Sequence, residues 1–270
     1  MSELNNIALK ILEKGKGILA ADESTGAMTK RLDGVNVPST PENRLLFRET
    51  LFSASSMTEC IGGVILYDET IKQQTSKKNL IPELILKMGS FPGIKVDTGA
   101  KVLAGSPDEK ITEGLDGLRE RLVEYYEMGA RFAKWRAVIT IGDSIPSDHC
   151  IVANAHGLAR YASLCQESNI VPIVEPEILM DGEHNIDTCY QVTNKTLDCV
   201  FDVLKLYNVM LEGIVLKPNM VISGMECDQQ ANVETVSEMT VNALKENVPS
   251  EVPGIAFYQV DSPAMMLQYI

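Results

Sequence analysis

Short apolar runs recur along this chain, each followed by a polar stretch and then a longer segment with apolar residues at helical spacing. The runs are Gly17–Asp22, Ile61–Asp68, Pro92–Asp97, Ala130–Thr140, Ile170–Ile178, Leu211–Asn219 and Gly254–Val260. Each reads as a buried strand. The segments between them carry helix signals. Leu4, Ile7, Ala8, Ile11 and Leu12 share a face ahead of the first run. Thr40-Pro41-Glu42 offers a cap and a first-turn proline before Leu45, Leu46 and Leu51. Leu115, Leu118, Leu122 and Tyr126 line up before Met128-Gly129, a C-terminal stop. Leu158, Tyr161, Ala162 and Cys165 repeat the pattern, as do Val192, Leu197, Val200, Phe201 and Leu204. Val233, Val236, Thr240, Ala243 and Leu244 form the last such face.

Strands alternating with helices predict a parallel sheet with helical crossovers. Units of roughly 30 to 45 residues suit an α/β fold of the (β/α)8 TIM barrel kind. A doubly wound sheet is the second choice, but it usually carries a Gly-rich phosphate turn after an early strand. None is present, since Gly62-Gly63 reads as preceding its strand. Seven strands are counted in this chain where a closed barrel needs eight. No linker or composition shift marks a second domain.

Composition narrows the function classes. The chain has 270 residues, 45% of them hydrophobic and 23% charged, as an ordinary globular protein does. No stretch approaches the roughly 18 apolar residues of a membrane span, and Met1 to Gly17 has no signal-peptide core. The net charge is −13 and the pI about 4.7. Such a surface argues against nucleic acid and membrane as partners, because both attract through cations. A small anionic substrate is still compatible if its site is locally basic. The six cysteines are scattered, with no C-x-x-C pair, and read as free thiols of a reducing compartment. The cytoplasm is the expected location.

Charges cluster where the strands end, which is where a barrel carries its chemistry. Asp22 ends the first run, Asp68 the second, and Lys95 and Asp97 the third. Lys134 and Arg136 stand two apart in the fourth run and therefore share a face. Glu175 and Glu177 repeat that spacing in the fifth, and Lys217 ends the sixth. Asp68 reads as a solvated strand end, and Asp97 reads equally as that or as part of a site. The remaining charges lie in or beside apolar runs, with opposite signs on successive strands. Unpaired buried charges cost several kcal/mol, so a shared polar cavity is the economical account. A lysine desolvated among cations loses its proton more readily and attacks carbonyl carbon. Glu175 suits proton transfer, and Lys95, Lys134 and Arg136 would make the mouth basic enough for phosphate. This is Schiff-base chemistry on a phosphorylated ketone or aldehyde. A metal site is the competitor, but His149, His156 and His184 fall in or before a helix or in an acidic loop. All three read as solvated or helix-surface histidines.

Seven segments closely resemble class I fructose-bisphosphate aldolase, in order from about Lys14 to Phe257. They are Lys16-Gly-Ile-Leu-Ala-Ala-Asp-Glu-Ser-Thr25, Ile61-Gly-Gly-Val-Ile-Leu66, Gly93-Ile-Lys-Val-Asp97, Gly114-Leu-Asp-Gly-Leu118, Phe132-Ala-Lys-Trp-Arg136, Ile170-Val-Pro-Ile-Val-Glu-Pro-Glu-Ile178 and Leu216-Lys-Pro-Asn-Met220. The resemblance implies a barrel that cleaves fructose 1,6-bisphosphate into dihydroxyacetone phosphate and glyceraldehyde 3-phosphate with neither metal nor other cofactor. It implies Lys217 as the Schiff-base lysine, Glu175 as general acid/base and Glu177 as its support. Asp22 would handle the hydroxyl proton during carbon–carbon cleavage. Lys134 would stand beside the reacting carbons and help keep Lys217 neutral. Ser24, Arg31, Arg44, Lys95 and Arg136 match substrate- or phosphate-binding positions. A second serine of the early loop is here Ala27. The full-length family form is expected to be a homo-oligomer. Another Schiff-base barrel lyase, a transaldolase or a non-catalytic relic of the family are the alternatives.

The resemblance ends after Val252-Pro-Gly-Ile-Ala-Phe257, where the family continues Leu-Ser-Gly-Gly-Gln-Ser and this chain reads Tyr258-Gln-Val-Asp-Ser-Pro-Ala-Met-Met266. Read from the last base of the Phe257 codon, permitted codons for this stretch encode Leu-Ser-Gly-Gly-Gln-Ser-x-x-Asp-Ala. The expectation is therefore a barrel over residues 1–257 lacking its eighth unit, with 258–270 an out-of-frame tail after a one-base loss. Strands one and seven would then present unpaired edges, and the chain expressed as written is expected to be poorly soluble or inactive.

Overall fold

The structure, a computed structural model, describes residues 2–257. Within them lie the strands β1 (Gly17–Ala21), β2 (Ile61–Leu66), β3 (Phe91–Lys95), β4 (Gly99–Leu103), β5 (Ser106–Glu113), β6 (Phe132–Ile139), β7 (Val171–Ile178) and β8 (Val215–Leu216). Six of them form one sheet in the order β1-β2-β3-β6-β7-β8. The pairs β1–β2, β2–β3, β3–β6 and β7–β8 are parallel. Six of the seven expected strands are present. The seventh run contributes one parallel bridge, Ile255 to Leu216. Two hydrogen bonds hold it, from Leu216 N–H to the Gly254 carbonyl (3.2 Å) and from Ala256 N–H to the Leu216 carbonyl (2.9 Å). The expected tail, 258–270, lies outside the described residues.

β4 and β5 form a separate antiparallel hairpin. The sequence pattern does not predict it, because its residues are mostly polar and make no apolar run. Gly62 and Gly63 lie inside β2 rather than ahead of it. A Cβ on Gly62 would stand 2.2 Å from the Ile11 carbonyl oxygen, so glycine is what lets helix Glu3–Ile11 close on the strand.

The chain divides into two compact units. One takes the chain up to Val96 with Gly117–Lys134 and Leu164–Pro172; the other takes Asp97–Asp116, Trp135–Ser163 and the chain from Ile173 onward. In the first, Ser2 caps helix Glu3–Ile11 by accepting from Asn5 N–H, and Leu4, Ile7, Ala8 and Ile11 are buried. Helix Pro41–Phe52 has the expected cap, Thr40, and the expected proline, but an inverted inner face. It buries Arg44, Arg48 and Phe52, whereas Leu46 is 62% and Leu51 38% exposed. On helix Leu118–Glu127 the buried tyrosine is Tyr125, not Tyr126. Tyr125 donates to Asp68 (2.7 Å), which also pairs with Lys72.

In the second unit the three long helices bury the faces their spacing predicts: Leu158, Tyr161 and Ala162; Leu197, Val200, Phe201 and Leu204; Val236, Thr240 and Ala243. Trp135 stacks on Tyr161, ring centroids 5.5 Å apart, and the Tyr161 hydroxyl donates to the Ile173 carbonyl. Ile139, Ile141, Ile178, Cys189, Val221 and Ala243 form a core cluster that anchors the ends of β6 and β7. All six cysteines are free thiols. No helix among the described residues is long and apolar enough to cross a membrane.

Candidate active site

In the first unit, β1 ends at Ala21 and hands the chain to Asp22, which belongs to neither strand nor helix. Its Oδ2 lies 2.6 Å from Lys134 Nζ, and both side chains are largely buried. Lys95 at the end of β3 is in register with Lys134 across the β3–β6 ladder. The sequence placed Asp22 and Lys95 at strand ends and Lys134 within the fourth run, and the fold brings this set together.

The remaining first-unit candidates separate by accessibility. Ser24 caps helix Thr25–Asp33, its Oγ accepting from Ala27 N–H, and is exposed. Arg31 is exposed, pairs with Glu23 at 2.9 Å and lies over the Phe47 ring. Arg44 is buried and committed elsewhere. It donates from Nε and Nη2 to the two Glu69 oxygens (2.9 and 2.5 Å) and from Nη1 to the Ser39 carbonyl (2.8 Å). The hydrogen bond to Glu69 raises the Arg44 pKa and its counterpart lowers that of Glu69, so both stay charged.

In the second unit, Lys217 follows β8 and donates to Glu175 Oε1 at 2.6 Å. The side chains are 13% and 3% exposed, a nearly dry ion pair. Arg136 Nε donates to Glu177 Oε2 and lies 4.0 Å from Glu175 Oε1. Burial opposes the Arg136 charge, but the Glu177 hydrogen bond and the charges of Glu177, Glu175 and Asp97 outweigh it and raise the pKa. The i, i+2 spacings on β6 and β7 thus set Arg136 and the two glutamates on facing sides, as expected. The pocket beside Lys217 is mostly apolar, with Ile178, Met180, Met220, Ile222 and Phe257, and carries Glu177 and Asn219 as further polar groups. An amine against apolar surface with one carboxylate in reach is suited to nucleophilic attack with proton transfer.

Asn219 is a contributor that strand-end charges do not reveal. Its side-chain oxygen accepts from Ile178 N–H (3.4 Å), and its amide donates to Thr193 Oγ1 (3.1 Å) and the Met220 carbonyl (3.0 Å). It ties the segment just past Lys217 to the end of the strand carrying the two glutamates.

His184 is not solvated, contrary to the sequence expectation. Its ring nitrogens are inaccessible and have no hydrogen-bond partner. The loop carrying it is clamped to residues 224–226 by three backbone hydrogen bonds, among them Gly224 N–H to the His184 carbonyl (2.8 Å). A Cβ at Gly224 would stand 2.1 Å from the Gly182 carbonyl, so only glycine permits the clamp. Burial lowers the His184 pKa from its ordinary 6.5, against the opposing charge of Glu226. The folded ring therefore resists a proton that the unfolded chain accepts. Its contribution to stability is full above pH 6.5 and is lost as pH falls through the folded value. Urea unfolding followed from pH 8 to 5 should show a shallower acid loss in His184→Asn than in the parent; equal slopes would exclude this role.

Among the described residues no group of three His, Cys, Asp or Glu side chains is placed to hold a metal ion.

The model of the family described as class-I fructose-bisphosphate aldolase matches residues 3–262. The chain is 54% identical over 257 residues to a probable fructose-bisphosphate aldolase class 1 of Xanthomonas campestris pv. campestris, covering 95% of this chain and 77% of that one. It is 50% identical over 256 residues to the mouse fructose-bisphosphate aldolase C, covering 94% and 70%. Among solved structures it matches the fructose-bisphosphate aldolase of Plasmodium falciparum, crystallised with TRAP and a small-molecule inhibitor. That match has a TM-score of 0.92 and 47% identity, over 94% of this chain and 74% of the other.

Proposed function

The chain belongs to the class I fructose-bisphosphate aldolases, lyases of barrel fold that act on a sugar bisphosphate through a Schiff base, and we propose that Lys217 is the lysine that forms it. The observation that carries this reading is the 2.6 Å contact between Lys217 Nζ and a nearly inaccessible Glu175 carboxylate. To attack C2 of fructose 1,6-bisphosphate, Nζ must present its lone pair, and this contact gives its proton a route to Glu175. Attack makes a carbinolamine. Glu175 returns a proton to the departing hydroxyl, water leaves, and an iminium remains. Asp22 takes the C4 hydroxyl proton as the C3–C4 bond breaks. The bonding pair moves into an enamine, and glyceraldehyde 3-phosphate departs. Protonation of the enamine and hydrolysis release dihydroxyacetone phosphate and restore Lys217.

Glu177 holds Arg136 and keeps its charge in place. Arg136, Lys95, Arg31 and Ser24 are the groups we assign to substrate or phosphate. Arg44, matched to the same role by resemblance, is held by Glu69 and Ser39, which supports a place in the framework instead. We also place the protein in the cytoplasm as a homo-oligomer, and light scattering on the purified protein tests the second point.

Borohydride reduction in the presence of fructose 1,6-bisphosphate should leave a stable adduct on Lys217, located by peptide mass spectrometry. An adduct on another lysine, or on none in the protein continued in the second frame, overturns the assignment and favours a non-catalytic relic. Trapping with other keto-substrates in preference would favour a different Schiff-base lyase. We further read 258–270 as translated in a shifted frame, supported by the codon pattern after Phe257; the nucleotide sequence across that codon decides it. If the 270-residue chain gives no adduct, the same measurements apply to the protein continued in the second frame.

A further inference from the structure

Helix Pro41–Phe52 turns its arginines inward while Leu46 and Leu51 face outward, the reverse of what burial alone selects. Arg48 is the extreme case, with no exposed surface at all. A buried guanidinium costs several kcal/mol unless charge and hydrogen bonds compensate it. Here Glu23 lies at 3.8 Å and Glu69 at 3.9 Å. The hydrogen bonds go to backbone instead. Nε donates to the Ala21 carbonyl (3.2 Å) and Nη2 to the Glu23 carbonyl (2.7 Å). Those carbonyls bracket Asp22.

β1 ends at Ala21, so the strand ladder does not extend over residues 22–24. We infer that Arg48 is a positioning residue that replaces the missing ladder, clamping the backbone on both sides of Asp22 so that its carboxylate meets Lys134. Arg44 completes the device by gripping both oxygens of Glu69, including the Oε2 that faces Arg48. The inference rests on the assignment of Asp22 to carbon–carbon cleavage. It concerns geometry rather than charge alone, since a lysine could neutralise Glu23 and Glu69 but presents one nitrogen where the planar fork presents two at a fixed spacing.

The test uses Arg48→Lys and Arg48→Met in whichever form of the protein traps the Lys217 adduct. Turnover is normalised to the number of sites that borohydride traps, which removes any loss of folded protein. Each variant should lower kcat per trapped site on the order of 10- to 100-fold, as for a displaced catalytic group, with KM falling alongside it because the iminium ahead of bond breaking accumulates. In an Asp22→Asn background the same substitutions should cost nothing further. Full kcat per trapped site, rescue by lysine, or an undiminished further loss without the Asp22 carboxylate would each overturn the inference. If neither variant folds, Glu69→Gln loosens the clamp without emptying the Arg48 space and must reproduce the kcat loss. Absence of the Lys217 adduct in the parent is a different result, which removes the proposed function itself.

Discussion

Lys217→Met should abolish both the borohydride adduct and cleavage of fructose 1,6-bisphosphate, a loss on the order of 10⁵-fold or more, as when a covalent nucleophile is removed. Methionine matches the length of the aliphatic stem and carries no nucleophilic nitrogen. Lys217→Arg keeps the cation beside Glu175 and should be equally dead, because a guanidinium does not form the iminium. The two variants should differ in stability. Removing one partner of a buried pair typically costs about 3 to 5 kcal/mol, and Glu175 is 3% exposed. Lys217→Met should therefore unfold at lower urea than Lys217→Arg. Activity lost in both with stability lost in one separates the chemical role from the structural one. Retained adduct formation in Lys217→Met would mean another lysine does the chemistry.

The chemistry was legible in the sequence because charge at a strand end is costly unless paired. Asp22 with Lys134 and Glu175 with Lys217 are charges of opposite sign in or beside apolar runs, and each meets a partner at 2.6 Å. Strand order followed from the same runs. What escaped shares one cause, structure held by hydrogen bonds and ion pairs rather than by apolar burial. The hairpin β4–β5 is stabilised by its own ladder and needs no apolar run. Asn219 acts through two backbone contacts, one hydroxyl and the Cys189 sulfur. On helix Pro41–Phe52 the apolar pattern pointed to the wrong face, because Arg44 and Arg48 satisfy carbonyls and carboxylates that no leucine could. β8 has two residues, shorter than its apolar run, since the front of that run, Leu211–Gly213, winds into a 3₁₀ turn instead. Hydrophobic periodicity reports burial only where burial is apolar.

Asp22→Asn should divide the reaction in a way that no Lys217 variant can. The amide keeps the size of the side chain and its place beside Lys134, but cannot accept the C4 hydroxyl proton. Schiff-base formation draws on Lys217 and Glu175, which the substitution leaves alone. Borohydride should therefore trap fructose 1,6-bisphosphate on Lys217 as it does in the parent, while steady-state cleavage falls on the order of 10³-fold, within the span of a lost general base. The intermediate ahead of bond breaking should accumulate, so the trapped species shifts from the three-carbon to the six-carbon adduct, read directly by mass. KM measures binding and capture together and should fall with kcat, because substrate held as a stalled iminium counts as bound. If Asp22→Asn loses the adduct as well, the carboxylate is needed before the carbon–carbon step. If cleavage persists, proton removal belongs to another group, and the clamp that Arg48 places around Asp22 loses its purpose with it.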